Sequence, residues 1–302
     1  MMHIDRIRAA AERAQPHVLR TPMISVEGAL LKLECLQPTG SFKVRGFFAA
    51  ALGLEPEKLR RGLITVSAGN AAQACAYVAK ALGVPCRVFM FDTAPPLKLE
   101  GVKRWEAIPV LMPRDAILEW MAKEGWTDEP ETFIHPFAEP EVMAGHGGIG
   151  LELLEDVPDL ERVLVAVGGG GLIGGIASAI KGVRPGIEVI GVQSDGYASW
   201  TRSFEAGSPV SIKPSTIADG TSAPVDPRMF ELLKECVDRW LTVPEPRLLA
   251  AIPELASGAK VVAEGAGALT YAALEQLEPG PATVAVVSGG NIDPKVLASL
   301  LS

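Results

Sequence analysis

The sequence predicts an α/β fold with mainly parallel sheets flanked by helices, and three observations predict it. Short apolar runs alternate with helical patterns along most of the chain, an alternation that builds parallel sheets covered by helices. Turns of small residues fall directly after several of those runs, where α/β folds place their ligands. The chain's 302 residues are enough for a large buried core and divide more naturally into two lobes than one.

Taken in order, the first strand is Leu63–Val66, an apolar and β-branched run between Gly62 and a Ser-Ala-Gly turn. The alanine-rich helix Asn70–Leu82 follows and stops at Gly83. Cys86–Met90 is the next strand. The stretch 94–140 is rich in proline, carries three of the five tryptophans, and reads as irregular, the far side of a smaller lobe. Val163–Val167 reads as a strand and Leu172–Lys181 as a helix. Residues 163–180 carry no charge and approach the length of a membrane span. Six of them are glycine, and each glycine in a helix interior costs about 1 kcal/mol relative to alanine, so strand, turn and helix describe them better. Ile187–Val192 and Thr283–Val287 complete the strands. Arg228–Val237, Arg247–Ser257 and Ala266–Leu277 carry helical patterns. The expected division is a large lobe from residues 1–50 and 141–302, with a small lobe, 51–140, inserted between them.

Composition removes several classes of function. The formal net charge is −8, and an acidic surface repels phosphate backbones, so nucleic acid is not an expected partner. The N-terminus mixes acidic and basic residues with no apolar run behind them and does not read as a signal peptide; a membrane is not expected either. Cys35, Cys75, Cys86 and Cys236 form no CxxC pair, and are read as reduced thiols of a cytoplasmic protein. The four histidines show no paired spacing, so no zinc site is expected.

Four motifs carry chemistry. In Ser41-Phe42-Lys43-Val44-Arg45-Gly46 a lysine lies between apolar neighbours just after a Pro-Thr-Gly turn, where a partly desolvated amine can act as a nucleophile. Ser67-Ala68-Gly69-Asn70 joins a strand to a helix, where small residues and free backbone N–H groups can receive a carboxylate. Gly168-Gly169-Gly170-Gly171 follows a strand, and four glycines let the backbone wrap a phosphate. Ser288 opens Ser288-Gly289-Gly290-Asn291 at the end of the last strand, where a hydroxyl can bond a ring nitrogen. Taken alone, three of the four also read as a surface lysine, a helix N-cap turn and a glycine turn. Gly169, Gly171 and Gly174 also satisfy GxGxxG, but the acidic ribose ligand expected at the end of the next strand is missing, since that strand ends in Val192-Gln193-Ser194.

Together these motifs resemble the fold-type II pyridoxal-phosphate enzymes, a tryptophan-synthase-β-like architecture of two domains, and specifically the serine/threonine dehydratase (ammonia-lyase) and serine racemase branch. The resemblance runs from about Arg20-Thr21-Pro22 to Asp293. It implies that Lys43 carries pyridoxal 5'-phosphate covalently and is the catalytic base, and that Phe42 packs beside the ring. It further implies Asn70 at the ring 3-oxygen, Gly168, Gly169, Gly170, Gly171 and Leu172 at the phosphate, and Ser288 at the ring nitrogen. Glu264 matches the family's acidic residue beside the site, and Asp219-Gly220 closes a loop near it. Ser67, Ala68, Gly69 and Asn70 would receive the carboxylate of a small amino acid. Lys43-Val44-Arg45 resembles the dehydratase branch, whereas sulfhydrylase and threonine synthase relatives usually read Lys-Asp-Arg.

The chain also departs from that pattern. Ala71 stands where a histidine is usual, Ala74 replaces a frequent glycine, and residues 25–31 are compressed. Gln193 and Ser199 occupy the places of two carboxylates that bind a divalent cation in many relatives, so no metal is expected there. Racemases of the branch commonly have serine in place of Ala68. No C-terminal regulatory domain like that of the biosynthetic threonine dehydratases is expected. The activity expected is elimination of water and ammonia from L-threonine or L-serine by a cytoplasmic homodimer. A racemase and a non-catalytic binding protein of the same fold are the alternatives, with a nicotinamide oxidoreductase behind them.

Overall fold

The computed structural model describes residues 1–278 and 282–302. The chain opens with α1 (Ile4–Ala14), β1 (Met23–Val26), β2 (Ala29–Leu33), α2 (Lys43–Leu52) and α3 (Pro56–Arg60). Next come β3 (Leu63–Val66), α4 (Asn70–Leu82), β4 (Cys86–Phe91), α5 (Pro96–Lys103), β5 (Ile108–Met112), α6 (Arg114–Ala122) and β6 (Thr132–Phe133). After them run α7 (Pro140–Asp156), β7 (Arg162–Ala166), α8 (Gly171–Val183), β8 (Glu188–Ser194), α9 (Ser199–Ala206) and α10 (Pro227–Lys234). The last elements are β9 (Arg239–Val243), α11 (Glu245–Glu254), α12 (Gly265–Ala272), β10 (Thr283–Val287) and α13 (Pro294–Leu301).

Among the described residues the strands form two sheets. The larger has the order β1-β2-β10-β7-β8-β9 and the smaller β5-β4-β3-β6. All neighbours are parallel except β1 and β2. That antiparallel pair accounts for the compressed residues 25–31: Glu27-Gly28 alone turns the chain, with Gly28 at φ +75°.

The stretch 94–140 is not irregular. It holds α5, β5, α6 and β6. Its prolines start elements instead of breaking them: Pro95 and Pro96 open α5, Pro113 caps α6, and Pro109 lies on β5, an edge strand where a missing N–H costs little. The helix expected at Arg247–Ser257 ends instead at Glu254 and passes into a π-helical turn over Leu255–Ala259. The one expected at Ala266–Leu277 ends at Ala272.

Helix α7 has no counterpart in the sequence expectation, because Gly145, Gly147, Gly148 and Gly150 weaken the helical signal. Packing explains it. A Cβ at Gly145 would lie 2.6 Å from the Ala49 methyl, and one at Gly150 would lie 2.8 Å from the carbonyl of Ile176. The bare backbone lets α7 pack directly on α2 and α8, and the apolar surface buried there outweighs the low propensity.

Candidate active site

Parallel strands converge with their C-terminal ends on one cleft of about 720 Å³. The loop after β3 brings Ser67–Asn70, the loop after β7 brings the glycine tetrad, and the loop after β10 brings Ser288. Lys43 enters at the start of α2, and Glu264 just before α12. Residues 40–42 and 288–290 are joined backbone to backbone: Ser41 bridges Gly289, Phe42 N–H donates to Ser288 O at 3.0 Å, and Gly290 N–H donates to Gly40 O at 2.9 Å. The lysine and serine motifs, far apart in sequence, therefore form one rigid corner.

Among the described residues the Lys43 ammonium has one hydrogen-bond partner, the carbonyl of Pro136 at 2.5 Å. Its Nζ lies 5.1 Å from the centre of the Phe42 ring. Burial pushes its pKa down to about 8, so it gives up a proton more readily than a solvated lysine. Pro136 is held by its neighbours. His135 Nδ1 accepts from the N–H groups of Phe137 and Ala138, at 3.3 and 3.0 Å, which makes it the unprotonated nitrogen. Burial, with the Lys43 charge close by, pushes the His135 pKa down to about 4.

Opposite lies a chain of amides. Asn70 Nδ2 donates to Glu264 Oε1 at 2.6 Å, and Asn70 Oδ1 accepts from Asn291 Nδ2 at 2.8 Å. Asn291 Nδ2 also donates to Thr39 O at 2.8 Å. This chain fixes which way the Asn70 amide faces. Burial pushes the Glu264 pKa up to about 7. Asp219 pairs with Lys98 of α5 at 2.8 Å and ties the two sides of the cleft together at its mouth.

The phosphate expected at the tetrad is tested by the backbone itself. Among the described residues no protein acceptor meets the N–H groups of Gly168, Gly169 and Gly170, and the first turn of α8 adds more free donors. Gly170 has φ +90°, a conformation that favours glycine. A Cβ at Gly169 would lie 2.3 Å from the Phe137 ring, and one at Gly171 would lie 2.5 Å from its carbonyl. Donors of this kind, beside a desolvated lysine, fit a phosphorylated aldehyde cofactor. Leu172 is buried beneath them.

The substrate-side loop is less open than expected. Gly69 N–H donates to Ser67 Oγ at 3.1 Å, so that donor is already engaged. Ala68 and Asn70 line the cavity, and Ala71 stands beside them. Gln193 and Ser199 are fully buried and bonded to each other at 3.4 Å. Among the described residues no three His, Cys, Asp or Glu gather as a metal site. Sequence reasoning missed His135, Pro136 and Phe137, and gave no role to Asn291, the last residue of the fourth motif. The only signal was a histidine before a proline and an asparagine after two glycines, and neither has a spacing that announces a role.

A family model described as pyridoxal-phosphate dependent enzyme matches residues 14–289. An L-threonine ammonia-lyase of Thermotoga maritima is 41% identical over 284 residues, covering 90% of this chain and 69% of the relative. Maize serine racemase superposes with a TM-score of 0.92 at 30% identity, over 98% of this chain and 96% of that one. A threonine deaminase from T.th. superposes with a TM-score of 0.90 at 37% identity, over 97% and 99% of the two chains.

Proposed function

The chain belongs to the pyridoxal-phosphate dependent enzyme family, and within it we propose a lyase that converts L-threonine or L-serine to a 2-oxo acid and ammonia, the water lost from the β-carbon being balanced by the water that hydrolyses the released enamine. The observation that carries this is Lys43, a depressed-pKa amine with a single hydrogen-bond partner among the described residues, lining one cleft with an N–H-rich glycine loop. The 41% identity to an L-threonine ammonia-lyase supports the same reaction.

When bound, pyridoxal phosphate withdraws electrons from the substrate Cα and makes its proton removable. Lys43 would hold the cofactor through its Nζ and, as a free amine, would take the substrate Cα proton on that nitrogen. Phe42 packs beside the ring. Asn70 presents its Nδ2 to the ring 3-oxygen, its orientation set by Glu264 and Asn291. Gly168–Gly171 and Leu172 hold the phosphate, and Ser288 offers a neutral hydroxyl to the ring nitrogen. The loop Ser67–Asn70 receives the substrate carboxylate.

Racemisation on this scaffold needs a proton donor on the face opposite Lys43, and Ala68 has none to give. We take residues 1–50 with 141–302 as the large cofactor-binding domain and 51–140 as a small domain inserted in the chain. A cytoplasmic homodimer is the proposed form; four free, buried cysteines suit a reducing compartment. The test is direct. Borohydride reduction of the holoenzyme should fix the cofactor on the peptide containing Lys43, and L-threonine and L-serine should release ammonia and 2-oxo acid in equal amounts. A protein that takes up no pyridoxal phosphate ends this reading.

A further inference from the structure

Behind the glycine tetrad, on the side away from the cleft, lies a neutral polar cluster with no role in the reaction as described. Gln193, Ser199 and Trp200 are all fully buried. Gln193 Nε2 donates to Val167 O at 3.2 Å, and Trp200 Nε1 donates to Gly168 O at 2.5 Å. The Gln193 amide is itself held. Its Oε1 accepts from the N–H groups of Trp200 and Thr201, at 2.8 and 3.3 Å, at the start of α9. The Trp200 indole is stacked on Trp240, 5.7 Å between centres and 1° from parallel.

These bonds fall on two consecutive peptide planes. In a trans peptide the carbonyl of one residue and the N–H of the next point in opposite directions, and no peptide bond here is cis. Pinning the Val167 carbonyl therefore aims the Gly168 N–H the opposite way, and pinning the Gly168 carbonyl does the same for Gly169. Those are two of the N–H groups without a protein acceptor among the described residues, and both glycines line the cleft. A run of four glycines left to itself would sample many backbone conformations.

We propose that Gln193 and Trp200 are positioning residues that clamp two carbonyls of the glycine loop and so aim its N–H donors at an anionic phosphate. This rests on the cofactor assigned above. The clamp carries no formal charge and acts from behind, so its effect falls on the phosphate and not on the ring.

The test compares two probes on apoenzyme freed of cofactor: pyridoxal phosphate and pyridoxal, which lacks the phosphate. Trp200→Phe keeps an aromatic ring in the stack and removes the donor to Gly168. It should raise the dissociation constant for pyridoxal phosphate roughly tenfold, as loss of one buried bond implies, and leave that for pyridoxal unchanged. Gln193→Leu, which leaves the tryptophan stack intact, should shift the same ratio in the same direction and serves where Trp200→Phe does not fold. Equal weakening for both probes, or no weakening for pyridoxal phosphate, overturns the clamp while the cofactor assignment stands. Wild-type protein that binds neither probe overturns both.

Discussion

Two polar clusters flank the first turn of α2, and only one of them is built to react. Arg45 points to one side, where it meets Glu34 and Glu152: Nε lies 2.8 Å from Glu34 Oε2 and Nη1 lies 2.7 Å from Glu152 Oε1. Nη2 reaches Leu19 O, Glu34 Oε1 and Glu152 Oε2. Lys32, fully buried, pairs with Glu152 at 2.6 Å and with Thr21 O at 2.8 Å. The Glu34 carboxylate takes further bonds from Thr21 and Gln37. The guanidinium and the Glu34 carboxylate are thus fully engaged. Two residues earlier Lys43 faces the cleft with one hydrogen-bond partner among the described residues and a pKa of about 8. The difference shows what separates a structural charge from a functional one on the same helical turn. Saturated bonding holds a charge in one state, whereas sparse bonding in a dry site lets a proton leave.

The largest effect should come from Lys43→Ala. Turnover should fall by about 10⁴-fold or more, since both the cofactor attachment and the base are lost, while the melting temperature stays close to wild type. A matching collapse in stability would break the comparison. Arg45→Ala should do the reverse. Opening this buried ion cluster leaves the Glu34 carboxylate without its ion-pair partner and costs about 3–5 kcal/mol of stability, read from denaturant unfolding. Turnover per folded molecule should change little, and a large loss of turnover would place Arg45 in the chemistry.

The third effect is a pH dependence. Glu264 belongs to the sparse cluster, and burial raises its pKa from 4.5 to about 7. A carboxyl raised in the folded state binds its proton more tightly there than in the unfolded chain. Its contribution is therefore complete below about pH 4.5 and is lost as pH rises through about 7. Relative to Glu264→Gln, wild-type protein should lose on the order of 2–3 kcal/mol between pH 5 and 8. Glu34 runs the other way: burial raises its pKa, but Arg45, Thr21 and Lys32 together outweigh burial and hold it below the usual range. Unfolding curves of both proteins across that range check the sign.

The smallest effect sharpens the site itself. Ala68→Ser adds a transferable proton to the cleft that Lys43 lines and should raise the racemised fraction of L-serine by about tenfold, less than a fully evolved acid–base group supplies. A chiral assay run beside pyruvate formation reads it. An unchanged fraction would show that residue 68 does not face the substrate Cα.

What was legible in the sequence was whatever depends on neighbours along the chain. Leu63–Val66, Asn70–Leu82 and Thr283–Val287 are regular elements at those bounds in the structure, because local composition and bounding turns suffice for them. The glycine tetrad stood out as a rare local pattern after a strand, whereas Lys43 and Ser288, ordinary when taken alone, stood out only in combination with it; all three line one cleft. Other features depend on contacts made only after folding. The four glycines of α7 argue against a helix until α2 and α8 pack on its bare backbone. Asn291 sets the Asn70 amide from 221 residues away, and Trp200 reaches Gly168 across 32. Nothing in either residue's own neighbourhood signals those bonds. Local sequence determined which groups could react; only the tertiary structure decided which of them were saturated, because bonding and desolvation are properties of the packed chain.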